Sequence, residues 1–340
     1  MVTVTSARAF WIVEPGRGDI HEERIPEPAS GEVLVRAEFS GISRGTESLV
    51  FGGHVPASEY TRMRAPFQSG EFPAPVKYGY CSVGRVEEGD PTWRGIRVFA
   101  LYPHQTHYVL PAAAVHAIPD DVPSGRAVLA ANMETALNGC WDANPHRDDR
   151  VTVIGAGTVG CLVAWVVRTT VGCDVELVDV NPQRAEVAER LGVRFARAHT
   201  DGRPDRVGPA STAGLSTNRT IVIHTSGSPS GLRTALVLAA ADATIVEMSW
   251  FGDCEVSLPL GEAFHSRRLT IKASQVGALP PAMRTEWNVD RRMAKALDLL
   301  KDPALDALIT GESAFNDLPD VMRRLATSPG NTLCHRIRYD

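Results

Sequence analysis

Apolar and polar residues alternate over short runs through the first 120 residues: RAFWIVEPG, GEVLVRAEFSG, VGRVEEG, GIRVFALYP and HYVLP, each bounded by Gly or Pro. A period of two predicts strands, and the breakers between them predict irregular connections, so this region reads as a compact, mostly β domain. From about Arg126 the period lengthens. RAVLAANMETALNGCWDA places apolar residues at helical spacing, and DDRVTVIGAGTVGCLVAWVVRTTVGCDVELVDVNPQRAEVAERLG then reads as strand, helix, strand and helix. RTIVIHTSG, SGLRTALVLAAADATIVEMSWFG and RLTIKASQVG continue with strand, helix, strand and a last strand. Such alternation predicts an α/β domain, a doubly wound parallel sheet with helices on both faces. VDRRMAKALDLL and LPDVMRRLAT predict helices ahead of LCHRIRYD, and the polar HTDGRPDRVGPASTAGLSTNR predicts a loop with a short helix.

Composition narrows the partners. A chain of 340 residues suffices for two domains, and a net charge of −5 with no basic run argues against nucleic acid or a membrane surface and for a small-molecule substrate. MVTVTSARAFWIVEPG lacks the features of a secretory signal, and runs such as LVAWVV fall far short of the roughly 20 apolar residues that span a bilayer. The six cysteines form no C-x-x-C pair and no disulfide-dense pattern, which fits a reducing compartment. A cytoplasmic protein is expected.

The strongest chemical signal is VTVIGAGTVG, a G-x-G-x-x-G that follows a β run and opens a helix. Gly155 permits the tight turn, Gly157 lets backbone approach a pyrophosphate, and Gly160 lets the helix pack on the sheet. Thr158 and Val159 begin that helix, whose N–H groups face the anion. Asp179 ends the next strand, where a carboxylate accepts hydrogen bonds from both ribose hydroxyls and repels a 2′-phosphate. The cofactor expected is therefore NAD, with NADP disfavoured. Asn181 and Arg184 stand beside that acid; Arg184 suits either a phosphate or stacking on an adenine.

GAGTVG with DVNPQR, SGSPSGLRTAL and the SQVG strand together resemble the medium-chain dehydrogenase/reductase superfamily, the zinc alcohol dehydrogenases and zinc-free quinone oxidoreductases. The resemblance implies a GroES-like catalytic domain of residues 1–130 and 277–340, a Rossmann domain of 131–276, a cofactor between them and a homodimer. It breaks at the metal. Where such enzymes carry a cysteine, a histidine and a third cysteine or glutamate, this chain has Ser43, Tyr80, and Ala131 or Asn132. The four-cysteine lobe for structural zinc is missing as well, since no cysteine lies between Cys81 and Cys140. No zinc is expected; the alternative is a reshuffled site drawn from His54, Cys81, His104, His107 and Glu134. GISRGTE resembles the branch that includes bacteriochlorophyllide hydroxyethyl dehydrogenase, which also lacks the zinc cysteine and oxidises a secondary hydroxyl on a flat ring system.

Without a Lewis acid, charge on the reacting oxygen falls to hydrogen-bonding side chains. Tyr80 is the leading acid/base, with Lys77 as a cation to lower its pKa if the chain turns at Gly79; otherwise the ring fills the space of a missing metal. Glu134 is expected as a base or substrate anchor, or as a helix N-terminal acid. By resemblance Thr135 touches the nicotinamide, Arg44 the pyrophosphate, and Thr46 and Ser48 form a hydroxyl relay, although Gly45 holds the usual relay position. His104 follows a strand and is a further candidate. Arg62, Arg64 and Gln68 mark a specificity loop for a polar or anionic ligand. The reading is a zinc-independent, NAD-dependent oxidoreductase for a secondary alcohol or its ketone on a polar or ring-bearing molecule. The alternatives are an enone or quinone reductase and a non-enzymatic NADH-binding protein.

Overall fold

The computed structural model describes residues 5–199 and 212–340; most of the loop expected at 199–219 lies outside the described residues. The chain divides into two compact units, Met1–Ala131 with Met293–Asp340, and Asn132–Arg292. Residues 277–292 group with the second.

In the first unit the hairpin of Thr5–Glu14 and Arg17–Ile25 belongs to a four-stranded sheet. A seven-stranded sheet is organised around Glu32–Ile42, which pairs antiparallel with Ser82–Gly89, with His107–Pro111 and with the C-terminal Cys334–Arg338. The C-terminal return is thus a strand pairing, with His335 opposite Ile42. Val33, Val35, Ala37 and Ile42 of the long strand are buried, as its apolar positions require. Ser43 then forms the corner into helix α1 (Arg44–Phe51).

Helix α2 (Ala130–Ala143) leads into the second unit. There the doubly wound sheet expected from the alternating pattern is present: β1 (Arg150–Ile154), β2 (Asp174–Asp179), β3 (Arg194–Arg197), β4 (Arg219–His224), β5 (Ala239–Glu247) and β6 (Thr270–Ala273), all parallel, in the order β3-β2-β1-β4-β5-β6. The runs VTVI and IVIH are buried end to end because helices cover both faces. Strand β3 has no such run: RFAR is an edge strand, with arginines at both ends exposed, and its sequence carries no apolar signal. Between β1 and β4 the strand order reverses, which is where open parallel sheets bind ligands. Helix α3 (Thr158–Val166), apolar on all sides and buried from Gly160 onward, rises from the end of β1. Among the described residues no helix is long and apolar enough to cross a membrane.

Candidate active site

The turn from β1 to α3 uses its glycines in two ways. Gly155 has φ +105°, and a Cβ there would lie 2.7 Å from Ser226 Cα; a Cβ on Gly160 would lie 1.8 Å from the Gly155 carbonyl oxygen. Both positions are glycine for reasons internal to the protein. At Gly157 φ is an ordinary −74°, and a Cβ would meet nothing within 4 Å. No neighbouring group forbids a side chain there, so its lack keeps open the space at the helix N-terminus. Gly157, Thr158 and Val159 remain partly exposed there. That end offers unpaired N–H groups and the positive end of the helix dipole, which suit a pyrophosphate.

Asp179 stands at the end of β2, its two carboxylate oxygens accepting from the Ala156 N–H at 2.6 Å and the Asn181 N–H at 2.8 Å. Each oxygen keeps lone pairs for a ribose diol. Asn181 Oδ1 accepts from the Gln183 N–H at 3.0 Å, which shapes the following turn. Arg184 is buried and close enough to Cys161 to oppose the upward push of burial on that thiol. Its guanidinium thus faces inward, and little of it is displayed as a stacking surface.

The corner at Ser43 is the most connected polar region of the first unit. The Ser43 N–H donates to Glu47 Oε1 at 2.7 Å; Glu47 Oε2 lies 2.9 Å from His104 Nε2, and His104 Nδ1 lies 2.7 Å from Ser40 Oγ. Ser40 Oγ in turn lies 2.9 Å from the Tyr339 hydroxyl. Ser40, Glu47, His104 and Tyr339 are all buried. Gly79 makes the arrangement possible. Its φ of +124° turns the chain, and a Cβ there would come within 2.8 Å of the His104 ring.

One residue on, Tyr80 shares a hydrogen bond with the Ser43 side chain. The ring is half-buried but its hydroxyl end is withdrawn from water. Burial pushes the phenol well above its ordinary pKa, Tyr78, Cys81 and Glu47 add to the shift, and only the Ser43 bond opposes them. The phenol is therefore held protonated, as a donor. Cys81, buried beside it, is likewise pushed well up by burial and by Glu47.

Lys77 corrects an expectation. The chain does turn at Gly79, yet the Lys77 ammonium donates to Glu23 at 2.7 Å and Gln105 at 2.7 Å and lies over the Trp11 ring. It is committed to those partners and not to Tyr80. Among the described residues no group of three or more His, Cys, Asp or Glu side chains comes together that could hold a metal ion. Both nitrogens of His104 are occupied by Glu47 and Ser40, and His107 lies 3.9 Å from Glu87.

In the second unit Glu134 is paired with buried Arg292 at 3.0 Å. Arg292 also donates to Asn138 Oδ1 and to the Val276 carbonyl, which ties α2 to the segment after β6. Burial raises the Glu134 pKa and Arg292 opposes that shift. Thr135 is the one residue of positions 131–140 that keeps partial exposure. On α1, Arg44, Thr46 and Ser48 are half-buried and Gly45 is exposed with open space around it. In the specificity loop Arg64 donates to the Gln68 and Gly70 carbonyls and pairs with Glu71, while Arg62 pairs with Glu59. These arginines hold the loop itself. Gln68 accepts from the Ala65 N–H at 3.1 Å.

Sequence reasoning missed Glu47, Ser40, Tyr339 and Arg292. A signal existed for Glu47 alone: a Ser at a helix start with an acid one turn later resembles a capping pair.

No family model matches the chain. Starvation-sensing protein RspB of Escherichia coli K12 is 25% identical over 307 residues, covering 82% of this chain and 87% of that protein. A zinc-type alcohol dehydrogenase-like protein of Haemophilus influenzae is 23% identical across 96% of this chain and 97% of its own length. Among solved structures, the RspB alcohol dehydrogenase of E. coli CFT073, in complex with NADH, superposes with a TM-score of 0.75 at 20% identity over 98% of this chain and 99% of that one. Relatives by sequence and neighbours by structure point the same way: the chain is similar to alcohol dehydrogenase-like proteins along most of its length and has the fold of the alcohol dehydrogenase structures.

Proposed function

We propose that this protein is an NAD-dependent, zinc-independent oxidoreductase that interconverts a secondary alcohol and a ketone on a polar or ring-bearing small molecule, with Tyr80 as the acid/base. The observation that carries the reading is the Ser43 and Tyr80 hydroxyl pair, backed by Glu47 and His104, at two positions where the resembling enzymes place zinc ligands. These residues do not fit zinc. A serine hydroxyl and a phenol stand where the resembling enzymes have a thiolate and an imidazole, the donors the ion prefers, and Ala131 or Asn132 stands at the third position.

Each residue has a definite task. In reduction the Tyr80 hydroxyl donates its proton to the carbonyl oxygen and is left as phenolate; in oxidation the phenolate takes the proton of the substrate hydroxyl and returns to phenol. Ser43 orients the phenol through their shared bond, and Glu47 fixes Ser43 from behind. The open turn at Gly157 suits a pyrophosphate, and Asp179 suits an unphosphorylated ribose, which favours NAD over NADP. A bound nicotinamide would supply the hydride donor or acceptor for the carbinol carbon. A stack of rings, Phe67 on Tyr102 at 5.4 Å and Tyr102 on Tyr108 at 3.9 Å, supports a flat substrate, because Phe67 at its end remains exposed.

The test follows nicotinamide absorbance over secondary alcohols with NAD, and over ketones, enones and quinones with NADH, using protein of measured zinc content purified without chelators. Turnover of ring-bearing alcohols by protein with little zinc supports the proposal. Activity that tracks a full equivalent of zinc overturns its metal-free part, and turnover of enones alone moves the enzyme to carbon–carbon double-bond reduction.

A further inference from the structure

The second unit holds a polar cluster with no part in the chemistry above. His224 closes β4 and is fully buried; its Nδ1 lies 2.7 Å from Oε2 of Glu247, the last residue of β5, and its Nε2 lies 2.6 Å from Ser226 Oγ. The Ser249 N–H donates to Glu247 Oε1 at 2.7 Å, and Ser249 Oγ accepts from the Gly227 N–H at 3.0 Å and lies 3.3 Å from His224 Nδ1. The Ser228 N–H donates to Ser226 Oγ at 3.2 Å, and Phe251 lies nearly parallel to the imidazole at 6.2 Å. Gly231 leaves room for the cluster, since a Cβ there would lie 2.4 Å from Ser226 Oγ and 2.7 Å from His224 Nε2. Ser226 and Gly227 are nevertheless exposed. A fully buried imidazole thus holds the hydroxyl of a residue that is itself exposed.

Elementary chemistry sets the direction of that hydroxyl. A carboxylate only accepts, so Nδ1 carries the ring proton toward Glu247. With the ring carrying that one proton, Nε2 is an acceptor and Ser226 donates to it. With its proton spent inward and one lone pair taken by the Ser228 N–H, Ser226 Oγ presents an acceptor to whatever lies outside. Its place is informative too, since Ser226 abuts the Gly155 turn at the switch point between β1 and β4. If Asp179 on β2 takes the adenosine ribose and the turn takes the pyrophosphate, the second nucleoside extends toward β4, β5 and β6. Its ribose hydroxyls are donors.

We infer that Ser226 accepts a hydrogen bond from the ribose of the nicotinamide-side nucleoside, and that His224 and Glu247 are positioning residues that fix its hydroxyl as an acceptor. The inference rests on the dinucleotide reading of the glycine turn.

Calorimetric titration with NADH and, separately, with ADP tests it on wild type, Ser226→Ala, Glu247→Gln and Glu247→Asp. Loss of one exposed hydrogen bond should weaken NADH by about five- to tenfold in Ser226→Ala and leave ADP unchanged. Glu247→Gln should show the same selective loss, because an amide can donate to Nδ1, move the ring proton to Nε2 and turn the Ser226 hydroxyl outward. Glu247→Asp keeps an accepting carboxylate and should recover much of the affinity. Unchanged NADH affinity in Ser226→Ala overturns the inference, as does an equal loss of NADH and ADP, which would mean general damage to the unit. A wild type that binds neither ligand overturns the dinucleotide reading itself.

Discussion

Glu47 and His104, 57 residues apart in the chain, meet at 2.9 Å inside the first unit, and each is almost completely buried. Glu47 spends its other oxygen on the Ser43 N–H, and His104 spends its other nitrogen on Ser40. The pair therefore joins the corner at Ser43 to the strand that precedes it. Burial above all raises the pKa of Tyr78, Tyr80, Cys81, Cys334 and Tyr339, and Glu47 adds to the shift of each, so the hydroxyls and thiols around the pair stay protonated.

Such a pair is costly to break from one side. His104→Ala leaves Glu47 buried without its imidazole and Ser40 without its ring partner, and should lower unfolding free energy by about 3–5 kcal/mol. Urea unfolding of the full chain measures it. A loss below 1 kcal/mol, the range of exposed pairs, would mean that water reaches the site.

Tyr80→Phe removes the proposed proton donor and keeps the ring. Turnover should fall on the order of 10²-fold or more, the usual worth of general acid catalysis, with NADH affinity unchanged. The pH dependence has a sign. Because the phenol pKa is raised, ketone reduction should hold its rate through neutral and mildly alkaline pH, whereas alcohol oxidation, which needs the phenolate, should climb across that range. An oxidation rate that is flat with pH would remove Tyr80 from the rate-limiting proton transfer.

Local pattern made most of the fold legible. The strands β1, β2, β4 and β5 each carry a short apolar core such as VTVI, LV, IVI or TIV, and the glycine turn announces itself between a strand and a helix. Strand β3 escaped because RFAR at a sheet edge needs no apolar run. At the site, Ser43 and Tyr80 stood out only as residues where a resembling enzyme has ligands. Their support was hidden for a physical reason: His104 is 57 residues from Glu47, and Lys77 is 54 from the Glu23 that claims it. Side-chain pairings between distant segments leave no periodicity. Lys77 shows the converse error, since nearness in sequence suggested a partner that folding assigned elsewhere.

Two glycines of one motif should behave oppositely. Gly157→Ala places a methyl in open space, so stability should change by less than about 1 kcal/mol while NADH binding weakens, the methyl occupying the space left for the pyrophosphate. Gly160→Ala drives a Cβ into the Gly155 carbonyl and should destabilise the unit before any ligand is added. Melting curves with and without NADH separate the two. A Gly157→Ala protein that binds NADH as wild type would mean the cofactor passes elsewhere.

Acid stability should depend on His335, which anchors the C-terminal strand beside Ile42. Its Nε2 lies 3.0 Å from Ser313 Oγ, and Gly311 leaves room for the ring, since a Cβ there would lie 2.4 Å from Nδ1. Burial lowers its pKa below the ordinary 6.5, Arg324 lowers it further and Glu312 opposes. Below that value the unfolded chain takes up a proton that the folded imidazole refuses. Its contribution to stability is therefore full above about pH 6.5 and is lost as pH falls from there through the lower folded value. His107, also lowered by burial, acts in the same direction. His335→Gln cannot titrate, so the fall in its urea midpoint on acidification should be shallower than that of wild type, with the remainder assigned to groups such as His107. If the two curves run parallel, His335 is protonated in the folded protein as readily as in the unfolded chain, and the strand pairing must open to admit water there.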